Sequence, residues 1–200
     1  MPLLSPALGV TVPDSPHATV VCLPTLADVE SYERKEARVW DLLRAGGCVV
    51  LMRHAVTVAG VGDPPGFRLD DCSSQRNLSD AGRQQARALG EAFQRERVQL
   101  AEVRSSAWCR CVDTAQLAFG RHTVWAPLNS FFQVGDRAAQ TRAVLQGVAG
   151  VKAPANWMLV THQVNMTALT GEFPASGEVF VTRFDPSQPE RLRLLARQAF

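Results

Sequence analysis

Cys48-Val49-Val50-Leu51-Met52-Arg53-His54 joins five consecutive apolar residues to a cation and an imidazole. The run has strand length, includes β-branched residues and shows no polar alternation, the pattern of a strand covered on both faces. Such a strand needs helices above and below its sheet, so it predicts an α/β protein. Met158-Leu159-Val160-Thr161-His162 repeats the arrangement and also ends in histidine. Ligand sites in α/β sheets lie beyond the carboxyl ends of strands, and the two imidazoles are therefore expected in one crevice.

Helical patterns surround these strands. From about Leu26 to Arg44, Val29, Tyr32, Val39, Trp40, Leu42 and Leu43 fall at helical intervals until Gly46 and Gly47 stop them. Val56 to Asn77 reads as a long ordered loop, with Gly60, Gly62, Pro64, Pro65 and Gly66 among its residues. Ser79 caps a helix from Asp80 to about Arg95, whose stripe is Ala81, Ala86, Leu89 and Phe93. Val98 to Ser105 is a strand, Trp108 to Phe119 a helix closed by Gly120, and Thr123 to Trp125 a short strand. Arg137 to Val148 is a helix and Glu178 to Phe184 a strand, while Arg191 to Ala199 fits either. The alternation predicts a three-layer α/β/α fold with a mostly parallel central sheet. Residues 1–25, carrying Pro2, Pro6, Pro13, Pro16 and Pro24, form a Pro-rich arm, and residues 26–200 a single domain.

Composition removes several function classes. A length of 200 residues, 46% hydrophobic and 20% charged, suits one folded domain. The net charge of +2 lacks the dense basic field of a general nucleic-acid binder. Lys35 and Lys152 are the only lysines; the other cations are arginines, whose planar fork suits phosphate or carboxylate. The longest apolar run, Cys48 to Met52, is far too short for a membrane span. No secretory signal is visible in Met1 to Val12, which favours a cytoplasmic protein, with the periplasm as the alternative. Five cysteines without a CxxC pair give neither a disulfide framework nor a zinc ribbon, and His17 and His122 stand alone, so no metal is expected. Cys72 could pair with Cys109 or Cys111 in an exported protein.

Four blocks between Leu43 and Phe184 carry a resemblance. They are Leu51-Met52-Arg53-His54-Ala55-Val56-Thr57, Asn77-Leu78-Ser79-Asp80-Ala81-Gly82-Arg83-Gln84-Gln85-Ala86, Ser105-Ser106-Ala107-Trp108-Cys109-Arg110-Cys111-Val112-Asp113-Thr114-Ala115 and Val160-Thr161-His162. In order and content they resemble the histidine phosphatase superfamily, also called phosphoglycerate-mutase-like, with Ala55 in place of the usual glycine. The resemblance implies that fold, no cofactor, and phosphoryl transfer through a phosphohistidine. His54 would be the nucleophile, with Arg53, Arg110 and His162 around the phosphate. That set suits the chemistry, because a phosphoryl group in flight spreads negative charge over its equatorial oxygens.

The departures sharpen the expectation. Ser130 stands near the place of the mutase branch's acidic Glu, and Gln163 follows His162 where the acid branch has Asp. Mutase activity is therefore not expected, and a proton donor must come from elsewhere or be unnecessary. Asp63, on the loop after His54, is the candidate donor, with Asp70 and Asp71 behind it; loop capping by an Asx turn is the alternative for all three. Thr57, Gln75, Asn77, Gln163 and Asn165 are the expected substrate-binding residues; Gln75, Arg76 and Asn77 precede a helix amino terminus that can bind an anion, with bracing of the long loop as their alternative, and Asn165 is alternatively a brace for the His162 loop. Expected substrates are a phosphorylated small molecule, a sugar or a phosphohistidine protein. The competing expectation is a phosphate-binding or protein-interaction module of the same fold with weak or no turnover.

Overall fold

Strand β1 (Val49–Arg53) takes the central place that its apolar run predicts, with four of its five residues buried. The computed structural model describes residues 37–60, 62–133 and 135–200; the Pro-rich arm and the first part of the helix expected from Leu26 lie outside them. In chain order the elements are α1 (described over 37–45), β1, α2 (Asp80–Arg95), β2 (Glu102–Ser105), α3 (Cys109–Phe119), β3 (Thr123–Val124), α4 (Arg137–Val148), β4 (Trp157–Thr161), α5 (Gln163–Thr170), β5 (Val179–Phe184) and β6 (Leu192–Gln198). Six strands form one sheet in the order β3-β2-β4-β1-β5-β6. The β3, β2, β4 and β1 pairings are parallel, and β5 runs antiparallel to both β1 and β6. Arg191 to Ala199, open between strand and helix in the sequence, is thus largely strand, fixed by its ladder with β5.

Side chains alternate across β1 and so divide the core in two. Val50 and Met52, with Met158 and Val160, pack under α1, α2 and α3 through Val39, Trp40, Leu43, Leu89 and Phe93. On the opposite face, Val49, Leu51, Leu159 and Phe180 meet Val144, Leu145 and Val148 of α4 and Met166 and Leu169 of α5. The result is the three-layer α/β/α arrangement. Asn156 pins the bottom edge: its buried side chain accepts from Cys48 N at 3.0 Å and donates to Leu43 O at 2.7 Å.

Ser79 caps α2 as expected, its hydroxyl accepting from Gly82 N at 3.1 Å. Gly82 and Gly90 let α2 approach its neighbours closely, since a Cβ would lie 1.9 Å from Val56 O at the first and 2.0 Å from Ala118 O at the second. Arg104 of β2 has its guanidinium over the rings of Trp125 and Trp157, at 4.8 and 4.2 Å. The cysteine pairing resolves as Cys72–Cys109, and among the described residues Cys48 and Cys111 are buried thiols.

Candidate active site

Parallel pairing of β1 with β4 sets Arg53 opposite Thr161, so the next residues, His54 and His162, leave the sheet side by side. The His54 N–H donates to Thr161 O at 3.0 Å, and the two imidazole centroids are 5.5 Å apart. His54 is 3% exposed and its Nδ1 lies 2.9 Å from Ala55 O. A carbonyl can only accept, so Nδ1 carries the proton and the lone pair is on Nε2. Burial pushes the His54 pKa down to about 3 against the support of that carbonyl bond, and Arg110, Arg53 and Arg76 push the same way. The ring is therefore neutral at physiological pH. His162 is likewise held well below the ordinary histidine value by burial, then by His54 and the same arginines. Its Nε2 sits 2.8 Å from Ser106 Oγ, and Ser106 lies 3.2 Å from Asn129 Oδ1. With the Ser106 hydroxyl donated to Asn129, the serine accepts from His162 Nε2–H.

The remaining motif residues explain themselves locally. Thr114 Oγ1 accepts from Ala55 N at 3.1 Å and donates to Arg110 O at 2.6 Å, which ties α3 to the residue after His54. Gln85 Oε1 accepts from Val56 N at 3.1 Å, and Ser79 N donates to Val56 O at 3.0 Å. Ala55 itself is fully buried against Leu78 and Ala86.

Arg53, Arg76 and Arg110 line one cavity of about 240 Å³ with both histidines. Arg53 NH1 donates to Pro174 O at 3.0 Å, and Arg76 NH1 to Gly60 O at 2.6 Å. Burial and mutual repulsion lower the pKa of Arg53 and Arg76, yet a guanidinium stays charged in proteins. Each of the three arginines keeps a buried Nε–H with no protein partner. Three guanidinium groups with one carboxylate, Asp63, make a cavity suited to an anion. Trp108, Ser130, Phe132, Gln133, Gln163 and Val164 complete the wall. Among the described residues no group of three or more His, Cys, Asp or Glu side chains could hold a metal ion.

Several expectations need correction. Asp63 is not placed as a proton donor. Its Oδ1 accepts from Arg110 NH1 at 2.7 Å and Arg76 N at 3.0 Å, and its Oδ2 from Arg110 NH2 and Trp108 Nε1, both at 3.1 Å. Burial alone would raise its pKa, but these bonds, those of Arg110 foremost, outweigh burial and hold the carboxyl below its ordinary value. Asp70 and Asp71 lie outside the cavity, paired with Arg68 and Ser73. Gln75 and Asn77 brace the loop and do not line the cavity. Gln75 Oε1 accepts from Cys109 N at 3.0 Å and its Nε2 donates to Arg68 O at 2.8 Å, while Asn77 Nδ2 donates to Cys72 O at 2.6 Å. Thr57 pairs with Leu78 in an isolated bridge, and Asn165 Nδ2 donates to Asn129 O at 2.9 Å, which is the bracing alternative. Of the residues expected to bind substrate, Arg76 and Gln163 line the cavity. Trp108 was missed. It stands inside the quoted Ser105–Ala115 block, but nothing in its spacing marks it as a wall residue.

Residues 49–130 match the family model of the histidine phosphatase superfamily, branch 1. Among solved structures, the protein histidine phosphatase SixA complexed with tungstate is 18% identical, with a TM-score of 0.53 over 76% of this chain and 96% of that one. Mycobacterial glucosyl-3-phosphoglycerate phosphatase in complex with VO3 is 19% identical, with a TM-score of 0.56 over 76% and 99% of the two chains. A third structure, TTHB049 from Thermus thermophilus, is 20% identical, with a TM-score of 0.52 over 76% and 99% of the two chains. At these identities the likeness is one of fold. No curated protein sequence matches this chain.

Proposed function

We propose that the chain, whose residues 49–130 match the family model of the histidine phosphatase superfamily, is a metal-independent phosphatase acting on phosphomonoesters or phosphohistidine through a phosphohistidine on His54. The observation that carries this reading is a neutral His54 whose Nδ1–H is committed to Ala55 O and whose Nε2 carries the lone pair in an arginine-walled cavity. In the first step that lone pair forms the N–P bond while the bond from phosphorus to the leaving group breaks and its electron pair departs with the leaving group. In the second, water forms a P–O bond and releases a proton to solvent, the N–P bond breaks, and its electron pair returns to Nε2. The arginine charges match the oxygens of the phosphoryl group throughout. Tungstate in SixA and VO3 in the mycobacterial phosphatase are oxyanions, the ligand class that the charge of this cavity suits.

Ser130 at the cavity wall supplies no carboxylate where the mutase branch uses one, so efficient mutase turnover would contradict this reading. A phosphate-binding module is favoured by one observation: both terminal nitrogens of Arg110 are engaged by Asp63. The two readings separate in one experiment. Wild type and His54→Ala are given p-nitrophenyl phosphate with chelator present, and the protein is examined for an acid-labile phosphohistidine. Turnover and labelling by wild type alone are the expected result. Vanadate binding without turnover or label would leave the binding module.

A further inference from the structure

We propose that Asp63 is the positioning carboxylate of the phosphate cavity, holding the Arg110 guanidinium, the Trp108 indole and the Arg76 backbone in one arrangement without passing a proton. The inference rests on the phosphoryl-transfer reading above and assigns Asp63 a role within it.

Four N–H donors converge on the two oxygens of Asp63, and the Asp63 and Arg110 side chains are 4% and 5% exposed. A carboxylate with four donors has its acceptor sites filled and no proton of its own to give. Arg110 meets it end-on, through NH1 and NH2. End-on pairing uses one N–H from each terminal nitrogen, so the edge that carries Nε–H remains unused by the protein. Turned this way by Asp63, a guanidinium at the cavity wall keeps a buried Nε–H that no protein group satisfies.

The same carboxylate reaches the second histidine indirectly. It holds Trp108 by the indole N–H, and that ring stands edge-on to His162 at 5.3 Å. Both partners of the ion pair are anchored from outside. Arg110 follows Cys109, which is bonded to Cys72 of the loop, and Cys109 N donates to Gln75 Oε1. Charge also fits: three arginines against one carboxylate leave an excess of two positive charges for a doubly charged phosphoryl group.

The test is a double-mutant cycle of Asp63→Asn and Arg110→Gln, read in orthovanadate dissociation constants and in kcat/KM for p-nitrophenyl phosphate and phenyl phosphate. Asparagine cannot accept four donors, and its own NH2 would face two of them. Asp63→Asn is expected to lower kcat/KM about 100-fold, the scale of losing one preorganised donor, and by the same factor for both substrates. In the Arg110→Gln background it should change vanadate affinity and kcat/KM less than about fivefold, since the ion pair is already gone and only the Trp108 and Arg76 N–H groups are left for Asp63 to hold. A loss much larger for phenyl phosphate, whose leaving group needs a proton more, would make Asp63 the donor and overturn the proposal. Losses that multiply in the double variant would also overturn it, as would a wild type that binds no vanadate. If Asp63→Asn fails to fold, the double variant, which strands no buried charge, decides the point. Vanadate affinity within about fivefold of that of Arg110→Gln supports the proposal, and a further tenfold loss overturns it. A wild type that binds vanadate but never turns over sinks the phosphatase reading alone, because the cycle still reads in the dissociation constants.

Discussion

Acidification probes His54 directly. Burial with three neighbouring arginines places the His54 pKa at about 3. An ordinary histidine of pKa about 6.5 would be only about 3% neutral at pH 5, against about 99% for one at about 3. The Nε2 lone pair should therefore remain available at pH 5, where an unperturbed ring would have lost about 30-fold of it. Stability follows with a definite sign. The folded pKa lies below the unfolded one, so this contribution is complete above about pH 6.5 and is lost as pH falls toward the folded value. With a slope that reaches about 1.4 kcal/mol per pH unit, His54 alone accounts for about 2 kcal/mol between pH 6.5 and 4.5, and His162 acts with the same sign. Imidazole nitrogen-15 shifts followed from pH 8 to 5 give the first quantity. Urea unfolding of wild type and His54→Gln at the two ends of the lower window gives the second, with the stability difference between the two proteins moving by that amount. A His54 ring that titrates near its ordinary value, or a difference that does not move with pH, would refute the reasoning.

Two structural changes should read out in unfolding. Reducing Cys72–Cys109, or replacing both with serine, opens a closure of 37 residues; the chain-entropy relation puts the loss at about 4 kcal/mol, and urea midpoints that coincide with and without reductant would contradict this. Gly90→Ala drives a methyl to 2.0 Å from Ala118 O and should destabilise by about 1–3 kcal/mol despite alanine's better helix propensity, whereas Gly150→Ala meets nothing within 4 Å and should be neutral in the same thermal melt.

Elements and their order were legible in the sequence because they depend on local periodicity. The apolar runs before His54 and His162 predict β1 and β4, and the Ser79 cap and the Gly120 stop bound α2 and α3. The four motif blocks were enough to bring His54, Arg53, Arg110 and His162 to one cavity. What the sequence could not decide are the meetings of distant segments. Asp63 and Arg110 are 47 residues apart, and only their meeting turns an expected acid into an ion-paired carboxylate. Gln75 and Asn77 stand at the right place for an anion, yet the loop's path turns their side chains onto Arg68, Cys109 and Cys72. Cys109 and Cys111 are two positions apart on α3, about 200° around the helix. The first faces the loop and its disulfide, and the second faces His162 in the core. Spacing along a chain sets which residues share a face, but which face meets which partner is settled only when the layers pack.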